Sequence, residues 1–445
     1  MSDEEKKELT EEAPQQETPP EAQEQPPESE GAPKTLPEEP VEDPIPDNVI
    51  QLPEDPNLVL LRRRRRNRLL ILAGCVLLAV IVLLFVLLPD VFDFDAIRRY
   101  FHYMGKKDRE GFGVIRYDAS GSNDFIALGD GMVLGTEGGL YYYDLSGTQE
   151  SMVQSTVASP KLIANRELAV CYSMGSSYLA LINERGERLM DTTLGGMLLD
   201  VDLSRDGYLC YNLTEEGYKT VATVLSRSHE PMYRYRSSTQ YLNACAVSDG
   251  GTYLAVAGLT EENSSFTSTL SILRTDEEII AGTDQGQSAK HRVSLGNQVV
   301  YEMHFLSKNR LCVITQDSLM VFDTECNLIA EQRFDTSYLR GYAISESGFA
   351  ALLLGQGVTG DRYELRTVDK NGEMIGSLEL TETVRSMDAG GRYVAVLTDS
   401  ALQVYRDRLA DYRSTTEIGS ATRVLMREDG TALLVSNGTA ELYIP

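Results

Sequence analysis

Gly251-Thr-Tyr-Leu-Ala-Val256 and Gly391-Arg-Tyr-Val-Ala-Val396 are nearly the same string, 140 positions apart in one chain. Each follows a short polar turn, Ser248-Asp-Gly-Gly251 or Asp388-Ala-Gly-Gly391, and each turn follows an apolar strand. The turn recurs as Ser204-Arg-Asp-Gly207, Ser307-Lys-Asn-Arg310, Ser345-Glu-Ser-Gly348 and Arg427-Glu-Asp-Gly430, with looser copies at Asp130-Gly131 and Arg166-Glu167. Positions 131, 167, 207, 251, 310, 348, 391 and 430 are then equivalent, and their spacings run from 36 to 44 apart from one of 59. The excess falls in the polar stretch 258–291, which reads as a loop insertion.

Each unit carries a further strand that runs into a tight turn, as in Leu140-Tyr-Tyr-Tyr-Asp-Leu-Ser-Gly147, Leu179-Ala-Leu-Ile-Asn-Glu-Arg-Gly186 and Leu365-Arg-Thr-Val-Asp-Lys-Asn-Gly372. Asp, Asn and Gly accept the positive φ that such hairpins need. Four short antiparallel strands per forty residues, repeated about eight times, predict an all-β fold, a β-propeller of four-stranded blades over 112–445. Seven blades result if one early unit is misread, and an open solenoid is the structural alternative. A four-stranded blade has two apolar faces, and closing the ring leaves neither face of any blade exposed. The last unit holds only three strands, Thr422–Met426, Thr431–Ser436 and Thr439–Tyr443. The early segment Gly113-Val-Ile-Arg-Tyr-Asp118 has no unit of its own and is expected to fill the outer place in the final blade.

Outward from the repeats the composition changes. The chain has 41 Lys+Arg against 67 Asp+Glu, a formal charge of −26, and twelve of its 16 prolines lie before residue 57. Residues 1–61 hold 18 acidic and 3 basic side chains with few aliphatics, so they are expected to be a disordered tail. Residues 69–88 are twenty uncharged, mostly apolar residues, about 30 Å of helix, the length of a transmembrane span. Arg62 to Arg66 and Arg68 (the basic anchor, 62–68) precede it, which places the N-terminus in the cytoplasm and the propeller outside. The same arginines can lie on anionic lipid. Within the linker 89–111, Ile97, Tyr100, Phe101 and Met104 fall at helical spacing after Asp95 and before Gly105, a short amphipathic helix. It either rests on the membrane surface or packs beneath the domain. The acidic exterior argues against nucleic-acid binding.

The strand–Asp-Gly–strand and Val-x-Asp-x-x-Gly elements resemble those of WD40-like and quinoprotein-like propellers. The layout over 62–445 is similar to that of an uncharacterised bacterial family carrying a domain of unknown function. Its members have a disordered acidic N-terminus, one span, an Arg-Tyr-containing juxtamembrane helix and an extracytoplasmic propeller. That resemblance implies a fold and a location, and brings no activity, cofactor or catalytic residue. Several better-known families are excluded. No blade ends in Trp-Asp or opens with Gly-His, and a chain with no tryptophan cannot carry sialidase-type Asp boxes or the docking motif of quinone-dependent dehydrogenases.

Chemistry-bearing patterns are few. No nucleophile elbow, phosphate loop, zincin helix or EF-hand is present, and no cofactor or metal is called for. The six cysteines form no C-x-x-C pair and read as small buried apolar residues, Cys75 excepted because it lies in the apolar run. His102 belongs to the juxtamembrane helix, and His229 and His291 to polar connections. His304, in Tyr301-Glu-Met-His-Phe305, lies on a first strand, which lines the central channel of a propeller. Alternation puts Glu302 on the same face. Equivalent first strands offer Asp200, Asp202, Arg340, Arg385 and Arg423. A channel mouth carrying Glu302, His304, Arg340 and Arg385 is therefore a candidate site for an anionic or zwitterionic ligand; the plain alternative is a water-filled channel lined by hydrated charges. The expected function is a non-catalytic binding module, tethered to the membrane and presented to an extracytoplasmic protein or envelope polymer, with an unidentified partner for the tail. The alternative is an envelope hydrolase or lyase with its site at the channel mouth. A ligand sensor signalling through the span ranks last, because the span lacks a Gly-x-x-x-Gly pair.

Overall fold

The computed structural model describes residues 68, 70–80, 94–106, 111–262, 265–276, 291–357 and 362–445. The tail 1–61, all but residue 68 of the basic cluster, and residues 69 and 81–88 of the apolar run lie outside the described residues. Residues 70–80 are helical, and among the described residues no helix is long and apolar enough to cross a membrane. The chain divides into two units, 1–87 and 88–445.

In the second unit, eight four-stranded antiparallel sheets follow one another along the chain. They form blades 1 to 7 at 123–154, 161–193, 198–237, 241–296, 300–333, 337–380 and 384–415, and blade 8 at 423–443. The eighth blade takes its outer strand from the start of the domain. Val114–Arg116 pairs antiparallel with Thr439–Tyr443, Val114 opposite Glu441 and Arg116 opposite Thr439. This is the latch expected from the leftover strand, and Ile115 at its centre is fully buried.

Apolar residues of successive blades interdigitate between the sheets. Leu128, Val133 and Leu140 of blade 1 meet Leu162, Cys171 and Ile182 of blade 2. Leu306, Ile314 and Val321 of blade 5 meet Ala350, Leu352 and Val368 of blade 6. Each Val, Leu or Ile among them, fully buried, contributes about 1.5–3 kcal/mol, so the stacked faces supply the main driving force for closure. Five cysteines, Cys171, Cys210, Cys245, Cys312 and Cys326, are free and buried in these layers.

The stretch 258–291 differs from the loop expected of it. The second and third strands of blade 4, Tyr253–Glu262 and Ser265–Arg274, are ten residues each and stay paired out to Glu262 opposite Ser265. Half of the insertion is therefore an extended hairpin. Its polar residues alternate along a ladder that outruns the blade, and so they gave no apolar signal of strand. Residues 277–290 lie outside the described residues.

Helix α1, Phe94–Tyr103, docks on the propeller through its polar face. Asp95 accepts a hydrogen bond from the Tyr393 hydroxyl at 2.7 Å, and the Arg99 guanidinium donates to the Asp429 carbonyl and the Tyr412 hydroxyl. Tyr103 donates to the Asp429 carboxylate at 3.0 Å and is 1 % exposed. The residues at helical spacing from Asp95 thus make the contact, and the stripe Ile97, Tyr100, Phe101 and Met104 faces away from it, 48 to 66 % exposed.

Candidate functional site

The first strand of every blade lines the channel, and one edge of it carries unpaired backbone groups that need partners. Polar side chains supply them across seven of the eight seams, and a side-chain pair bridges the eighth, between blades 5 and 6. The Asp124 carboxylate accepts from Leu162 N–H, Asp200 from Cys245 N–H, Asp202 from Val247 N–H and Asp388 from Met426 N–H, at 2.7–2.9 Å. Asn165 donates to the Ser204 carbonyl and Asn243 to the Val300 carbonyl. Tyr342 donates to Glu302, Ser345 to the Gly391 carbonyl, and Arg427 to the Gly129 carbonyl. The channel wall is thus stapled strand to strand by its own acids, amides and hydroxyls.

Within that wall the structure gathers a belt around Glu302 and His304. Both sit on Val300–Ser307 of blade 5, alternating with Met303 and Phe305, which pack into the blade. His304 Nδ1 lies 2.8 Å from Asp202 Oδ1, and the second Asp202 oxygen is pinned by Val247 N–H. The carboxylate therefore orients the ring, and the His304 side chain keeps a fifth of its surface open. Glu302 accepts from Tyr342 of blade 6 at 3.1 Å. Burial, and then the Asp202 charge, push the Glu302 carboxyl up to about 7. Burial and the Glu302 charge push Asp200 well above the usual carboxylate range. For His304, burial opposes the charged form, but the Asp202 charge and hydrogen bond, with Glu302, raise the imidazole above its ordinary value. The belt thus sets an imidazole whose charged form is favoured by Asp202 beside the raised Glu302 carboxyl. Among the described residues no group of three or more His, Cys, Asp or Glu side chains is placed to hold a metal ion.

The two arginines of the candidate mouth have other partners. Arg385 pairs with Asp399 at 2.7 Å and donates to the Ala421 carbonyl. It lines a cleft of about 600 Å³ where blades 7, 8 and 1 meet, together with Arg423, Asn123, Phe125, Thr422 and Asn437. Arg423 is itself paired with Asp124 at 2.5 Å. Arg340 lies over the Tyr338 ring and donates to the Gly357 carbonyl at 3.4 Å. Strand alternation correctly gave the faces of Glu302 and His304, but it carries no information about which blades approach one another across the ring. Tyr342 and Asn123 were missed for that reason.

A second charged cluster spans the channel at the turns between first and second strands. Arg166 of blade 2 pairs with Glu428 of blade 8 at 2.5 Å and reaches Glu346 of blade 6 at 3.6 Å, the blade diametrically opposite in a ring of eight. Arg205 lies 3.9 Å from Asp249 beside them. Burial, then the charge of Glu428, lift Glu346 to about 7. A signal for this cluster was present in the sequence. Arg205, Asp249, Glu346 and Glu428 all stand two residues before the equivalent glycine of their repeats. Helix α1 docks at this same end, on Asp429.

The structure is similar to the crystal structure of the C-terminal WD40 domain of Sif2, with a TM-score of 0.50 and 10% identity, over 75% of this chain and 100% of that one. It is similar also to the Dos1 propeller, with a TM-score of 0.47 and 11% identity over 75% and 96% of the two chains. For Hsv2p of Kluyveromyces lactis the values are 0.41, 11%, 66% and 98%. At these identities the likeness concerns the fold alone. No curated protein matches the chain significantly. Residues 110–432 match a family described as a family of unknown function (DUF5711).

Proposed function

The chain belongs to the DUF5711 family of unknown function, and from that premise we propose that it is a membrane-anchored, extracytoplasmic propeller serving as a non-catalytic binding module. One observation carries this reading. The wall acids Asp124, Asp200, Asp202 and Asp388 bond to neighbouring backbone, while the cleft of about 600 Å³ presents Arg385 and Arg423 among Asn123, Thr422 and Asn437. With these two guanidinium groups already paired to Asp399 and Asp124, the cleft offers a mixed surface of amides, hydroxyls and ion pairs, which fits a polar protein segment or a polar envelope polymer. The twenty-residue apolar run with six arginines before it supports the anchor, with the acidic tail inside and the propeller outside. A photo-crosslinking residue in place of the exposed Ser420, at the cleft edge, tests the reading in intact cells. One recurring envelope partner, lost when crosslinking is repeated with the residue at Glu187 on another blade, is the expected result. Self-crosslinks alone would refute it.

A second reading, an envelope hydrolase or lyase, is favoured by the His304–Asp202 pair beside Glu302, which has the form of a general base and its orienting carboxylate. Replacing Glu302 by Gln and His304 by Asn together should abolish any activity of the protein. Full retention in a folded double variant removes this site.

A further inference from the structure

Helix α1 has two faces with different tasks. Asp95, Arg99 and Tyr103, spaced four apart, hold it to blades 7 and 8. Roughly opposite, Ile97, Tyr100, Phe101 and Met104 form a continuous apolar and aromatic stripe, exposed by 48, 66, 65 and 60 %. A helix fixed to a domain by its polar residues, with its large apolar residues turned out, has not been built to pack on that domain.

From this stripe we infer that α1 is an interfacial helix, laid in the headgroup region of an anionic bilayer and seating the propeller on the membrane by the face that carries Arg166, Glu346 and Glu428. This inference rests on the reading of 69–88 as a span. Three observations select lipid as the occupant. The apolar run ends at residue 88 and α1 begins at Phe94, so the connecting chain reaches at most about 22 Å and keeps the helix near the bilayer surface. The stripe pairs aliphatic residues with Tyr and Phe, the composition that settles at a membrane–water boundary. Arg98 and Lys106 flank it, as cations facing anionic headgroups do. Seated this way, the far rim, with the cleft of Arg385 and Arg423, is turned toward the space outside.

The absence of tryptophan from the chain makes a direct test available. Single tryptophans replace Phe101 (Phe101→Trp), Leu78 in the apolar run (Leu78→Trp) and the exposed Met197 on blade 3 (Met197→Trp). The full chain is reconstituted in vesicles of phosphatidylglycerol and phosphatidylethanolamine whose acyl chains are brominated either near the headgroup or near the chain end. Phe101→Trp should lose about half its emission or more to the shallow bromines, since an interfacial helix buries its apolar face about 5–10 Å deep, and less to the deep ones. Leu78→Trp should respond to the deep bromines and Met197→Trp to neither. If Leu78→Trp is quenched and Phe101→Trp is not, the span stands and the interfacial helix is refuted. Blue-shifted, unquenched emission from Phe101→Trp refutes it also, because protein and not lipid then covers the stripe. If none of the three is quenched, the span reading itself has failed.

Discussion

His229, Cys326 and Leu409 stand at φ of 62°, 62° and 58°, in the turns between third and fourth strands. Blades 1, 2 and 6 fill the same position with Gly147, Gly186 and Gly372 at 75–80°. The left-handed conformation costs an L-residue about 1–2 kcal/mol. Cys326 and Leu409 offset part of that by burying their side chains. His229 has less to set against it, for its Nε2 is buried without a hydrogen-bond partner and burial holds its pKa below the ordinary value. His229→Gly should therefore stabilise the protein by about 1 kcal/mol, read as a higher urea midpoint. A lower midpoint would mean that the ring packs more favourably than the turn is strained. The histidine could be assigned to a polar connection from sequence. Its strain could not, because a positive φ at a non-glycine position leaves no mark in composition.

At the scale of the element, the latch strand Val114–Arg116 closes the ring with three residues. Its stability rests on Ile115, packed with Leu425, Leu433 and Ala440 in the last blade and Met132 and Leu134 in the first. Ile115→Ala should cost about 2–5 kcal/mol, since little can collapse into the space between two sheets. The effect should appear as a lower midpoint and as faster proteolysis near both ends of the domain. A cost below about 1 kcal/mol would mean that the ring closes without the strand. The latch was legible because a three-stranded final unit and a spare strand count to four. Helix α1 was legible only in part. Spacing placed Ile97, Tyr100, Phe101 and Met104 on one face, but whether that face meets the domain depends on where Asp429, Tyr393 and Tyr412 lie, more than 280 residues away.

At the scale of the whole molecule, three buried acids act in one direction. Glu302 and Glu346 are held at about 7 against an ordinary 4.5, and Asp388 at about 6 against 3.8, chiefly by burial. Each binds its proton more tightly folded than unfolded, so each takes stability away as pH rises from its unfolded to its folded value. His304, raised by Asp202, contributes stability that is fully present below its ordinary value and is lost as pH rises through the folded one. Carboxylates held low, such as Glu364 beside Arg366 and Asp429 beside Arg427, lose their contribution only as pH falls below the usual carboxylate range. The protein should therefore be more stable near pH 5 than near pH 8, by an amount on the order of a few kcal/mol. Urea midpoints at the two pH values measure this, and Glu346→Gln should reduce the difference. An unchanged difference in Glu346→Gln would mean that Glu346 is not among the carboxyls that burial raises.

The sequence by itself determined the propeller of four-stranded blades, about eight units, the latch and the amphipathic stripe of α1, and the structure set the count at eight. All of these follow from local period and turn chemistry, which the chain repeats every forty residues. It also named Glu302 and His304 correctly as neighbours on one face of one strand. Only the tertiary structure decided that Asp202 from blade 3 orients His304 of blade 5, that Tyr342 of blade 6 caps Glu302, and that Arg340 and Arg385 are held by other partners. Likewise it alone set Arg166 against Glu346 across the ring and turned the apolar face of α1 outward. The reason is geometric: a strand's period fixes which side chains face the channel, whereas contacts across the channel depend on ring closure, to which no short stretch of sequence refers.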